Sequence, residues 1–401
     1  MGLASRTEMV SHQWPMRSLD FFSHHLQDYL NELKTFTAIE TPTGDLANLE
    51  SAAVFLTERL APFGNPERCD LQDHGPLLRL RRGGVGSRVL LLAHYDTVWP
   101  VGSWPSLWNV CDGRASAPGI FDMKGGLLFI LWMLRYLDAG GLDHPEIEIL
   151  LNPDEEFGSP VSRSYIEEAA RRANFVLVLE PCNLDGSLKV ARKGSGEYVV
   201  TIRGRASHQG AAPEKGINAV VEASHQILRM LELEDGAAGT TVGPNVIVGG
   251  QTSNTVPDLA EIRVDVRSWK QSETKRLDDA LRRLQPVIAG AQINVFGGWN
   301  RPPMETSPIA TELFERARAL GTDLGLDLNP IGWGGSSDAN LAAAVGAATI
   351  DGFGPSGEGA HQIDESIVIG DVPRRLALLS ELVLSLAVPP EDWLTKESLA
   401  Y

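Results

Sequence analysis

The stretch Glu146-Ile-Glu-Ile-Leu-Leu-Asn-Pro-Asp-Glu-Glu-Phe-Gly158 decides how the chain is read. Residues 146–151 alternate and then run apolar, as a strand does when it enters a buried sheet. Asp154, Glu155 and Glu156 therefore stand just past a strand's carboxyl end, where open α/β sheets place their sites. Adjacent acids on a turn point in different directions. One carboxylate can then bind a metal while its neighbour serves as general base toward water. A solvated acidic turn, with Asp154 capping the following helix, accounts for the same residues. The surrounding sequence has to choose between the two.

Moving outward, residues 88–93 form a continuous apolar run typical of a strand covered on both faces, and it ends in His94-Tyr-Asp-Thr-Val98. His94 and Asp96 fall on one side of that strand by two-residue alternation. A His-x-Asp pair can supply both an imidazole and the carboxylate that orients it. Residues 118–126, Pro-Gly-Ile-Phe-Asp-Met-Lys-Gly-Gly, place Asp122 in a glycine-rich loop before a helix predicted over 125–139. Those glycines permit close approach of a charged ligand or simply make a tight helix start. A strand over 175–179 ends in Glu180, and His361 lies in the loop 357–365. Three strand ends and one glycine-rich loop thus each deliver a His, Asp or Glu, a repetition that independent helix caps do not explain.

The remaining pattern frames these motifs. Helices are expected over 19–36, 46–60, 161–173, 308–324 and 372–386, with strands over 77–82 and 348–350. Composition changes near Arg192, and residues 197–296 read strand, helix (218–231), strand, strand, helix (272–289), strand. That order suits an α+β insert with helices on one face of an antiparallel sheet. The expected fold class is α/β: a catalytic domain with a mixed, mostly parallel sheet flanked by helices, plus an inserted ferredoxin-like α+β domain. The expected domains are 1–191 and 303–401 for the catalytic part and 192–302 for the insert. A net charge of −17 over 401 residues repels phosphate backbones and anionic membranes, which argues against nucleic-acid and membrane partners. Residues 1–15 contain no apolar signal-like run, and the three cysteines lack metal-site spacing, so a cytoplasmic location is expected. His12, His24, His25, His74, His144 and His225 belong to no motif and read as surface or structural residues.

Five motifs in order, at 93–98, 118–126, 154–158, 204–210 (Gly-Arg-Ala-Ser-His-Gln-Gly) and 357–365, resemble the M20 family of zinc peptidases and amidohydrolases, most of all its glutamate carboxypeptidase branch. The resemblance runs from Leu91 to Leu386. It implies that Asp122 bridges two zinc ions per subunit, with His94 and Glu180 completing one site and Glu156 and His361 the other; cobalt or manganese would suit the same ligands. It implies Glu155 as the proton shuttle and Asp96 as the residue orienting His94. It further implies that the insert is a lid and homodimerisation domain, that His208 reaches the partner's active site to stabilise an oxyanion, and that Asn254 and Arg267 hold substrate. His208 as a turn cap and Arg267 as a salt-bridge residue stay open as alternatives. Lys193, Arg205, Arg301 and the loop 334–338 are unranked pocket candidates. Phe121 and Ala117 depart from the family pattern, where a small residue and a glycine are usual.

The expected activity is hydrolysis of an amide or peptide bond beside a free carboxylate, releasing a C-terminal amino acid such as glutamate. The alternatives are an N-acyl-amino-acid deacylase of the acetylornithine deacetylase type and, from another class, a non-catalytic dimeric ligand-binding module.

Overall fold

The computed structural model describes residues 14–388; His12 and most of residues 1–15 lie outside the described residues. The chain divides into two compact units. One comprises the described residues up to Val190, with 306–332 and those from Leu341 onward; the other comprises 191–305 and 333–340.

The first unit is built on an eight-stranded sheet in the order Glu67–Asp70, Pro76–Arg82, Glu146–Asn152, Arg88–His94, Phe175–Val178, Ala348–Asp351, Leu188–Arg192, Pro330–Trp333. The four central strands, 146–152, 88–94, 175–178 and 348–351, pair in parallel, and the flanking pairs to Pro76–Arg82 and Leu188–Arg192 are antiparallel. Covered strands need apolar residues on both faces, and Arg88–His94 is buried from Val89 onward. Helix Gly125–Gly140, buried continuously from Gly125 through Leu134, packs against helix Val372–Ser385 in the main core.

A methyl group on Gly126 would lie 1.9 Å from the Leu179 carbonyl oxygen. Gly125, likewise crowded by the Ile120 carbonyl oxygen, and Gly126 therefore admit neighbouring backbone, while Gly119 sits against the Thr97 side chain.

The second unit carries a four-stranded antiparallel sheet in the order Thr241–Gly249, Leu259–Ser268, Gly194–Arg203, Gln292–Arg301. Ala260, Ile262, Val264 and Val266 alternate inward with Tyr198, Val200 and Ile202, and helices Ala219–Leu231 and Gln271–Arg282 cover that face.

Of the boundaries that differ from expectation, three have a cause in local conformation or packing. The first helix is two, Trp14–His24 and Leu26–Thr37, divided at His25 (φ −96°, ψ 10°). The helix expected over 272–289 stops at Arg282. Pro286 cannot continue it, and the buried Glu222 carboxylate accepts from the Val287 and Ile288 N–H groups instead. Residues 333–340, expected in the catalytic part, fall in the second unit, where Asp338 meets Arg301 at 2.5 Å and Ser336 meets Ser195 at 2.9 Å.

Candidate metal centre

Strand register assembles the centre. In the parallel pair of 88–94 with 175–178, Leu92 stands opposite Val178, so continuing both strands by two residues sets His94 level with Glu180. On its other side His94 pairs with Asn152, after which the chain turns into Asp154, Glu155 and Glu156. Asp122 arrives from the turn immediately before helix Gly125–Gly140.

His361 comes from a small sheet that was not anticipated, ordered Gly357–Glu358, Ser366–Val368, Arg114–Ser116, Asn109–Cys111. Its pairing of Ser366 with Ser116 and Val368 with Arg114 ties the His361 loop to the segment leading into Asp122. His361 itself has φ +63°, a left-handed conformation that histidine tolerates better than most residues.

The two oxygens of Asp122 face different histidines. Oδ1 lies 3.3 Å from His94 Nε2 and Oδ2 lies 3.3 Å from His361 Nε2. Glu180 Oε1 is 3.6 Å from the same His94 nitrogen, and Glu156 Oε2 is 3.3 Å from the same His361 nitrogen. Glu155 has a carboxylate oxygen within 4.8 Å of ligand atoms of both His94 and Glu180.

Asp96, fully buried, braces this arrangement. Its Oδ1 lies 3.3 Å from His94 Nδ1, which also meets the Asp96 carbonyl oxygen at 3.0 Å. The same carboxylate accepts from the Glu155 N–H at 3.2 Å, the Glu156 N–H at 3.1 Å and the Thr43 hydroxyl at 2.8 Å. Asp154 is buried and accepts from the Val161 and Ser162 N–H groups, fixing the approach to helix Arg163–Arg172.

Sequence reasoning gave Glu365 no role. It is buried and accepts from Trp99 Nε1 at 3.1 Å and from the Gly119 N–H, pinning the loop that carries Asp122. The residue stood inside a recognised motif, but its partners lie more than two hundred positions earlier. Phe121 and Ala117 are buried in the core, with Phe121 packed on Gly357.

The electrostatics are those of a cation site. Burial alone would lower the His94 pKa, but the Asp122 and Asp96 carboxylates outweigh it and hold the ring well above its ordinary value. His361 is pushed up to about 11 by Asp122 and Glu156. Burial pushes the Glu156 carboxyl up. Burial acts in the same sense on Asp122, yet the contacts with His361 and His94 hold that group far below the usual range. Among the described residues, His94 Nε2 and Glu156 Oε1 are buried without a hydrogen-bond partner. Imidazole and carboxylate donors with such orphaned atoms fit a divalent metal of the zinc type.

In the second unit, strand pairing of His208 with Thr255 sets His208 beside Asn254, whose carbonyl oxygen accepts from the Gln209 N–H at 2.9 Å. His208 Nδ1 accepts from the Gly210 and Ala211 N–H groups, each at 3.1 Å, so the ring caps the turn and leaves Nε2–H as its donor. Arg267 grips Asp265 at 2.8 Å, the salt bridge held open as its alternative role. Lys193 stacks over Trp269, Arg205 donates to the Lys215 carbonyl oxygen, and Arg301 is buried against Asp338.

Comparison with known proteins gives concordant matches. The model of the family described as peptidase family M20/M25/M40 matches residues 90–385. Carboxypeptidase G2 of Pseudomonas sp. (strain RS-16) is 33% identical over 374 residues, 89% of each chain. Acetylornithine deacetylase of Proteus mirabilis (strain HI4320) is 30% identical over 229 residues, 53% of this chain and 58% of that one. Among solved structures, aminopeptidase PepT from Bacillus cereus superposes with a TM-score of 0.74 at 22% identity, covering 90% of this chain and 99% of its own. The M20 family metallo-carboxypeptidase Sso-CP2 from Sulfolobus solfataricus gives 0.71 at 17% identity, covering 90% and 99%.

Proposed function

This chain belongs to peptidase family M20/M25/M40, and from that premise we propose that it is a dinuclear zinc hydrolase that releases a C-terminal amino acid, such as glutamate, from an amide or peptide. The observation carrying this reading is Asp122, each of whose oxygens faces a different histidine, with Glu155 beside the cluster. Asp122 would be shared by two ions, His94 and Glu180 holding one, Glu156 and His361 the other. Bound there, divalent cations acidify water and polarise the scissile carbonyl.

The protein's own groups do the rest. Glu155 takes a proton from the attacking water and returns it to the leaving amine. Asp96 holds both the His94 ring and the Glu155–Glu156 backbone, so ligand and base keep one geometry. His208, with Nε2–H as donor, would stabilise the oxyanion from a partner subunit, and Asn254 and Arg267 would hold the substrate carboxylate.

Dimerisation through the insert is supported by its edge strand Thr241–Gly249, on which Val246, Ile247 and Val248 are exposed in succession. The three described cysteines are free thiols, which supports a cytoplasmic location.

The deacetylase-type relative keeps deacylation as the second reading, since the same base serves either leaving amine; the wider match to the carboxypeptidase favours the first. Replacing Glu155 with Gln should cut kcat by about a thousandfold while metal content stays near that of the unmodified protein. Undiminished turnover would remove Glu155 from the mechanism. Hydrolysis of acyl-glutamates and folate-like conjugates against N-acetyl amino acids separates the two substrate readings.

A further inference from the structure

Helix Val372–Ser385 carries a guanidinium into the core of the first unit. Arg375 is the largest fully buried side chain among the described residues. Its charge is permanent, so taking it out of water is costly unless its donors are met. Backbone alone meets them: Nε donates to the Gly354 carbonyl oxygen at 3.2 Å, Nη1 to that of Gly186 at 3.0 Å, and Nη2 to that of Gly352. Among the described residues no carboxylate forms a salt bridge with it. A buried cation aimed at three carbonyls fixes backbone rather than balancing a neighbouring charge.

Two of those carbonyls belong to the segment that grips Glu180. Residues 352–356 run beside 178–182: Phe353 N–H donates to the Val178 carbonyl oxygen at 3.1 Å, Gly354 N–H to that of Glu180 at 2.9 Å, and Cys182 N–H to that of Pro355 at 3.2 Å. Gly354 therefore gives its N–H to Glu180 and its carbonyl oxygen to Arg375. An added methyl group there would lie 2.6 Å from the Leu179 carbonyl oxygen and 2.8 Å from that of Glu180, so the two segments are in close contact. The third carbonyl, of Gly186, lies on the chain after Glu180, just before strand Leu188–Arg192. One side chain thus ties both the neighbour of Glu180 and the chain that follows it to a single helix.

We propose that Arg375 is a positioning residue for metal binding: through the backbone at 352–354 it holds Glu180 opposite His94, and it sets the affinity of the His94–Glu180 site in preference to the Glu156–His361 site. The proposal rests on the dinuclear reading above and deepens it. The preference follows from what holds each ligand. Glu180 stands beyond strand Phe175–Val178, whose ladder to Arg88–His94 ends with the Leu179 N–H on the Leu92 carbonyl oxygen, so its own backbone depends on Gly354. Glu156 is held by Asp96, and the His361 loop by the pairing of Ser366 with Ser116. Neither of those supports passes through Arg375. Lysine is no substitute, because an ammonium presents its donors from one point and cannot span three carbonyls.

The test isolates each site. In Glu156→Ala protein the tighter remaining ion should sit with His94 and Glu180, and in Glu180→Ala protein with Glu156 and His361. Zinc affinity is measured in both backgrounds by competition with a chelator, with and without Arg375→Lys. The second substitution should weaken zinc about tenfold in the Glu156→Ala background and leave it within about twofold in the Glu180→Ala background. Equal weakening in the two backgrounds, or none in either, would overturn the proposal. Hydrogen exchange in metal-free protein keeps it apart from the dinuclear reading. Arg375→Lys should speed exchange of the 353 and 354 amides by about tenfold or more while strand Glu146–Asn152 keeps its rates. Unchanged exchange at 353 and 354 would remove the positioning role whatever the metal count. An unmodified protein that binds fewer than two ions counts against the dinuclear reading alone, and the exchange result then decides for Arg375. If Arg375→Lys does not fold, Arg375→Gln, which gives up the buried charge but keeps an amide donor, takes its place in both measurements.

Discussion

A single carboxylate shows how much rests on individual side chains here. Asp96 is the common support of an imidazole that faces Asp122 and Glu180 and of the two consecutive backbone N–H groups of Glu155, the proposed base, and Glu156. Asparagine at this position keeps one acceptor oxygen but loses the charge that favours His94 and cannot serve all these donors at once. We expect Asp96→Asn to weaken metal affinity by about 10–100-fold and to lower kcat further, with the fold retained by circular dichroism. Metal affinity equal to that of the unmodified protein would show that Asp96 only packs. His94, Asp122, Glu156 and Glu180 were legible in the sequence because each follows a recognisable run or sits in a motif of unusual composition. The extra duty of Asp96 was not, because backbone donors at 155 and 156 leave no trace in residue identity.

Two elements show the same boundary between what pattern reveals and what packing decides. Strands ending at His94 and Asn152 announced themselves by apolar runs. The four short strands that bring in His361 are two or three residues each, too short for alternation to register. Gly126 is where helix Gly125–Gly140 crosses the end of the strand that precedes Glu180, and its missing side chain is the space the Leu179 carbonyl occupies. Gly126→Ala should therefore cost about 3 kcal/mol and reduce metal occupancy, read by thermal unfolding and metal analysis together; an unshifted midpoint would refute the close contact. In the insert, Glu222 holds the segment after helix Gln271–Arg282 through Val287 N–H at 3.0 Å and Ile288 N–H at 2.6 Å. Burial opposes its ionised form, but these backbone donors prevail and keep its pKa below the usual value. A lowered folded-state value means the stabilisation is complete above the unfolded carboxylate pKa of about 4.3 and fades as pH falls through the folded value. Glu222→Ala should lower stability at pH 7 by about 2 kcal/mol, and the gap from the unmodified protein should stay constant down to about pH 5 and narrow as pH falls below about 4 in denaturant titrations. A gap that does not change with pH would mean that the charge contributes nothing.

At the scale of the whole molecule, the order of motifs and the strand-helix order of the insert made the architecture readable, because each element is long enough to carry its own period. The edges of the insert were not, since residues 333–340 join it only through pairs such as Arg301 with Asp338 that no local pattern announces. What the sheet leaves uncovered bears on assembly. An edge strand with Val246, Ile247 and Val248 exposed together offers unpaired backbone groups and apolar surface in one place, and a chain of net charge −17 gives copies of itself no general reason to associate. Association through this edge would then be specific, as the proposed trans role of His208 requires. Val248→Lys puts a charge where natural edge strands use one to prevent pairing. We expect the unmodified protein to sediment as a dimer and the Val248→Lys protein as a monomer with a similar unfolding midpoint. Loss of turnover should accompany the monomer, and His208→Ala in an otherwise intact dimer should lower kcat by about a hundredfold. Mixing Glu155→Gln with His208→Ala protein separates action in trans from action within one chain. Hybrid dimers recover activity only if one subunit's His208 serves the other's Glu155, and no recovery on exchange would confine His208 to its own subunit or to its turn.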